Sequence, residues 1–114
     1  MTDRELLELA AKAAGVKWID PCFNYDEFGR MMLDFGAGVT EWNPLTSDGD
    51  AFRLAVKLAI CVNQGKGAVI AERNAAINSP ECGVIEALSA DPYAATRRAI
   101  VRAAAEIGKQ MGDE

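Results

Sequence analysis

The chain has 114 residues, half of them hydrophobic, which is enough for one domain spanning 1–114 with a full core and no need of disulfides or metal. Twelve Lys and Arg against 17 Asp and Glu leave a formal net charge of −5, the wrong sign for general attraction to nucleic acid, so direct binding to duplex DNA is not expected. The absence of histidine removes Ser-His and Cys-His dyads, the commonest general base and most zinc sites.

Thr2-Asp3-Arg4-Glu5 has the spacing of a capping box, in which a threonine hydroxyl and a glutamate each satisfy a free amide at a helix start. Leu6, Leu7, Leu9, Ala10, Ala13 and Ala14 then share one face, and Gly15 suits the left-handed turn that ends a helix. Val16 to Ile19 reads as a short strand halted by Asp20-Pro21, and Met31 to Phe35 as another, with Gly36-Ala37-Gly38 breaking it. No Lys-Ser/Thr pair and helix follow those glycines, so they form a turn and not a phosphate loop, and no cofactor is expected.

The stretch Trp42-Asn43-Pro44-Leu45-Thr46-Ser47-Asp48-Gly49-Asp50 organises the rest. Pro44 holds Asn43 in extended geometry, ending the strand-like segment there. Ser47 or Asp48 then caps a helix over 48–59, with Asp48 and Asp50 at its positive end. Phe52, Ala55, Val56, Leu58 and Ala59 form a wide apolar arc that calls for packing against a sheet, while Arg53 and Lys57 share the polar side. Ile60-Cys61-Val62 and Ala68 to Glu72 read as an antiparallel hairpin across Gln64-Gly65-Lys66-Gly67, and Cys82 to Leu88 as the last strand. Asp91-Pro92 is a capping acid followed by proline at the first helical position, opening a helix to about Gln110. Its core face gathers Tyr93, Thr96, Ile100, Ala103, Ala104, Ile107 and Met111, opposite Arg98, Arg102 and Lys109, with Arg97 at the boundary. The element order predicts an α+β layered domain, a helix–sheet–helix sandwich of three helices with an antiparallel sheet of about four strands.

Two groups of residues are candidates for binding a ligand or partner. Trp42, Asn43, Asp48, Asp50 and Arg53 offer an aromatic face, an amide and paired charges where strand meets helix. Each also has a sufficient local reason to be there: Trp42 as core, Asn43 as turn residue, the aspartates as caps. Arg97, Arg98 and Arg102 form a basic stripe suited to phosphates or an acidic partner, or a solvated helix face. Asp48, Asp50 and Glu41 raise the option of a hard cation, but their spacing is not that of a calcium loop, and no metal site is assigned. Tyr25, Phe28 and Trp18 offer further stacking or core surface. Cys22, Cys61 and Cys82 are odd in number, widely spaced and set among apolar neighbours, which favours buried small hydrophobes in a reducing compartment over a nucleophile or metal cluster.

Trp42-Asn43-Pro44-Leu45, Asp48-Gly49-Asp50-Ala51 with its apolar helix, and Asp91-Pro92-Tyr93-Ala94-Ala95-Thr96-Arg97-Arg98-Ala99-Ile100-Val101-Arg102-Ala103 resemble phage and prophage ABA-sandwich domain proteins. A similar layout occurs in NinX-like phage proteins, and the resemblance takes in the first helix and residues 42–62 and 91–108. It implies a helix–sheet–helix fold in a small accessory phage protein of the host bacterial cytoplasm, and it brings no catalytic residue.

With no complete catalytic motif and no membrane-length apolar run, the leading expectation is a non-enzymatic counter-defence protein that binds and inhibits a host protein by surface contact. One alternative is sequestration of a nucleotide-like immune signal, in a pocket lined by aromatic and basic groups and completed in a homo-oligomer. A third reading is a small metal-dependent hydrolase, which needs at least two acids converging on one cleft.

Overall fold

The computed structural model describes residues 2–15, 25–34, 39–73, 82–88 and 90–111. It contains α1 (Asp3–Ala13), β1 (Met32–Asp34), β2 (Val39–Glu41), α2 (Asp48–Leu58), β3 (Cys61–Gln64), β4 (Ala68–Arg73), β5 (Cys82–Ala87) and α3 (Pro92–Gln110). The expected strand at Val16 to Ile19, the Gly36-Ala37-Gly38 turn, Trp18 and Cys22 lie outside the described residues.

Local chemistry sets the helix boundaries. The Thr2 hydroxyl accepts from the Glu5 amide at 3.2 Å and donates to the Glu5 carboxylate at 3.1 Å, closing the capping box. The Ser47 hydroxyl accepts from the Asp50 amide and caps α2, and one Asp91 carboxylate oxygen takes the Tyr93 and Ala94 amides, each at 3.1 Å. At its other end α2 closes through Ala59, which adopts a left-handed conformation at φ 56° and ψ 42°. The Ile60 amide reaches back to the Ala55 carbonyl and the Ala59 amide to that of Val56, the paired bonds of a Schellman closure on a residue that is not glycine.

The class is α+β, with three helices, antiparallel strands and helix packed against sheet. The described strands number five and divide into a β1–β2 hairpin and a sheet of order β3–β4–β5. In the larger sheet Val69, Ala71 and Val84 are buried on one face, while Ile70 and Ile85 are exposed on the other. Helix α3 packs against β4 and β5, and also against α1 and α2, so every large element meets at this one helix.

That position explains a departure from the expected amphipathic pattern. α3 buries Ala95, Ala99, Ile100, Val101, Ala103, Ala104, Ala105, Ile107 and Gly108, far more than one stripe. Its alanines and glycine let neighbours approach closely from several sides. Tyr93 and Met111, expected in the core, are instead 70% and 50% exposed, because they fall on the two ends of the helix. In α2 the apolar arc splits: Ala51, Leu54, Ala55 and Leu58 are buried, whereas Phe52 and Val56 are not. No helix of the described residues is long and apolar enough to cross a membrane.

Candidate functional site

The Trp42–Asp50 stretch is held by its own polar groups. The Asn43 side-chain oxygen accepts from the Leu45 amide at 3.1 Å, an Asx turn that aims the chain into Pro44, which is fully buried. The Asn43 amide donates to the Asp50 carboxylate at 3.0 Å, and the other oxygen of that carboxylate takes Arg53 Nη2 at 2.7 Å. Trp42 is 5% exposed and belongs to the core. From α3, Arg97 reaches across, donating Nε to the Leu45 carbonyl at 2.8 Å and Nη1 to Asp48 Oδ1 at 2.6 Å. The turn is thereby fixed to both helices.

The three arginines of the α3 stripe leave in different directions. Arg97 pairs with Asp48 at the start of α2, Arg98 Nη1 pairs with Asp3 of α1 at 3.0 Å, and Arg102 pairs with Glu86 of β5. Arg53 pairs within its own helix, to Asp50. Each guanidinium of the expected set already has a carboxylate, so the four do not converge on a common anion position. Tyr25 donates its hydroxyl to Glu8 at 2.6 Å with the Arg4 guanidinium 4.0 Å above its ring, while Phe28 stands 74% exposed. Burial first, and the bond to Glu8 second, push the Tyr25 phenol above its ordinary pKa.

Two concavities sit beside these residues. The smaller, about 270 Å³, brings Trp42, Asp50 and Arg53 together with Thr40, Leu54 and Lys57. That is below the usual range of ligand pockets, about 300–1,000 Å³. The larger is a groove of about 860 Å³ between α2, β3 and the first turns of α3. Its apolar wall consists of Phe52 and Val56 from α2, Val62 from β3 and Tyr93 from α3, with Asp48 and Arg97 among its polar groups. Phe52, Val56 and Tyr93 are each about two-thirds exposed, at 68%, 65% and 70%.

Of the expected site residues, the structure brings Asp48 and Arg97 to the large groove and Trp42, Asp50 and Arg53 to the small pocket. Asn43, Arg98 and Arg102 line neither. The apolar patterning of α2 and α3 places Phe52, Val56 and Tyr93 in the core, and the structure leaves them outside it. The available signal was the width of the α2 arc, since the stripe Ala51, Leu54, Ala55, Leu58 alone completes the buried face. Among the described residues, no three Cys, Asp or Glu side chains cluster where they could hold a metal ion. No protein-family pattern, curated protein or solved structure matches the chain.

Proposed function

We propose that this chain is a non-enzymatic binding protein whose groove between α2, β3 and α3 takes a protein partner and blocks it by contact. The observation that carries this reading is the set of large apolar side chains held in water around one concavity: Phe52, Val56, Tyr93 and Val62. Folding gains little from a side chain it leaves two-thirds exposed, whereas burial against a partner recovers roughly 25 cal/mol for each Å² of apolar surface. Contiguous exposed apolar surface of this kind marks interaction sites. The setting is the one the phage resemblance implies: a small accessory protein in the host bacterial cytoplasm, with a host defence protein as its target.

The test compares proteins captured from a bacterial lysate by the wild-type chain and by Phe52→Asp and Tyr93→Asp variants, quantified by mass spectrometry. A partner held by the wild type and lost by both variants, at unchanged melting temperature, supports the reading. An identical captured set from all three chains defeats it. Calorimetry with cyclic and linear nucleotides addresses signal sequestration: nucleotide binding lost on Arg97→Ala would replace the protein-partner reading.

A further inference from the structure

Strand β3 is an edge: it pairs with β4, and no strand among the described residues lies on its other side. The hairpin register shows which of its groups face outward. The Gly65 amide bonds the Ala68 carbonyl at 2.9 Å, making that pair a hydrogen-bonded one. Such pairs alternate along an antiparallel ladder, so Asn63↔Ile70 and Cys61↔Glu72 are also bonded, while Val62↔Ala71 and Gln64↔Val69 are not. The amide and carbonyl of Val62 and of Gln64 therefore point away from β4. Their side chains fall on the same sheet face as buried Ala71 and Val69, and both line the groove. One wall of the groove thus carries main-chain donors and acceptors that no described strand pairs, and the opposite wall, on α2, carries Phe52 and Val56.

β3 is a short edge, and its own residues carry no chemical block to pairing. Cys61, Val62, Asn63 and Gln64 include no charge and no proline, the devices that natural sheets use to discourage pairing. All four residues are exposed.

We infer that the groove binds an extended segment of the partner protein, which adds to β3 as a further antiparallel or parallel strand. This inference rests on the protein-partner reading and specifies the shape of what is bound. Alternate residues of the segment would place apolar side chains against Phe52, Val56 and Tyr93, while its main chain bonds Val62 and Gln64. Its flanking residues carry positive charge, because the chain's net charge of −5 attracts them and repels an acidic segment. A second copy of this chain fits less well. Two β3 strands would pair over four residues a side, about 13 Å, whereas a standard interface takes roughly 20–30 residues from each partner. Each copy would also bring its own net charge of −5.

The experiment is selection of random linear peptides displayed against the 114-residue chain, with enriched peptides then synthesised and measured by calorimetry. The inference expects apolar residues at alternate positions with Lys or Arg flanks, and affinity that falls as salt is added. Val62→Pro removes an outward amide without touching a β3–β4 bond, a position that edge strands tolerate. It should weaken binding at least tenfold while the amide spectrum of the β3–β4 hairpin stays native. N-methylation at alternate peptide amides provides the same test without altering the protein, and only one register should lose binding. If Phe52→Asp abolishes binding but Val62→Pro and every N-methyl peptide bind as well as their parents, strand addition is wrong and the groove reading stands. If neither variant affects binding, both are wrong. A wild-type chain that sediments as a dimer, and becomes a monomer on Val62→Pro, overturns the partner segment in favour of a second copy.

Discussion

Gly108 sits where α1 and α3 cross. A β-carbon built on it would lie 2.2 Å from the Leu9 carbonyl oxygen and 2.9 Å from the Leu9 carbonyl carbon. Because the obstacle is backbone, no rotamer change can relieve it. To reach even a 3.0 Å contact, α1 must withdraw by at least the difference, 0.8 Å. A gap of that size forfeits roughly a quarter to a half of the dispersion energy of each affected contact, along an interface that buries Leu6, Leu7, Ala10 and Ala11. Overpacking of this kind costs about 1–3 kcal/mol. Opposing it, alanine is better than glycine inside a helix by about 1 kcal/mol. Gly108→Ala should therefore destabilise the domain by up to about 2 kcal/mol net, read as a lower midpoint in urea unfolding followed by circular dichroism. A variant more stable than the wild type would mean that helix propensity wins, and that α1 and α3 do not approach each other as described.

Ile100→Ala and Ile107→Ala, at side chains 5% and 3% exposed, should each cost about 2–4 kcal/mol. Arg98→Ala, whose pair with Asp3 is largely solvated, should cost under about 1 kcal/mol, and equal losses at all three sites in chemical denaturation would refute the buried face assigned to α3. Ala59→Gly should raise stability by about 0.5–1 kcal/mol, since alanine at φ 56° bears a left-handed strain of roughly 1–2 kcal/mol that glycine avoids, less the extra freedom glycine has when unfolded; a lower melting temperature would count against that conformation. At Asp26, desolvation pushes the pKa up but is outweighed by bonds from the Arg30 amide and guanidinium and the Phe28 amide, leaving it below the ordinary carboxylate value. A depressed carboxylate contributes stability that is complete above its unfolded pKa and lost as pH falls through the lower folded value, so the Phe28 and Arg30 amide resonances should titrate with a midpoint below the ordinary aspartate value, and a midpoint at or above it would contradict the bonding.

The parts of the fold legible in the sequence were those fixed by neighbouring residues. Thr2 and Glu5, Ser47 and Asp50, and Asp91-Pro92 each define a helix start through bonds spanning two or three residues. The β3–β4 hairpin follows from its Gly-Lys-Gly turn, with Gly67 at positive φ. What periodicity could not supply was which side of an apolar helix meets the rest of the chain. In α2, Phe52 and Val56 lie as close in sequence to the buried stripe as its own members do, and only the placement of α3 leaves them outside. Gly108 was equally silent, because a helical glycine declares a close contact only once the contacting backbone is in view. The arginine stripe was readable as a charge pattern, but its three internal acids, Asp48, Asp3 and Glu86, come from three different elements. Most of the candidate site arises from such tertiary pairings, which leave no local mark.

The groove and the turn beside it divide the work of the Asp48 region between two kinds of side chain. Arg97 is only 16% exposed and ties Leu45 and Asp48 to α3, so it holds α2 and α3 at a fixed separation. Phe52, Val56 and Tyr93 then stand on the two helices that this clamp joins. Fixed walls matter because a site that must first be ordered gives up part of its binding energy to that ordering, about 0.5–1.5 kcal/mol for each immobilised side chain. Arg97→Ala would remove a charge-assisted bond worth roughly 1.5–3 kcal/mol where it is shielded, reduced here because Asp48 is 70% exposed. Its consequence at the groove is separable from that at Phe52. Loss of the clamp lets the walls drift and slows partner association while leaving the apolar contacts available, whereas Phe52→Asp removes a contact and speeds dissociation. Surface plasmon resonance on the partner peptide resolves the two rates, and a pure dissociation effect from Arg97→Ala would show that Arg97 touches the partner directly and does not act as a clamp.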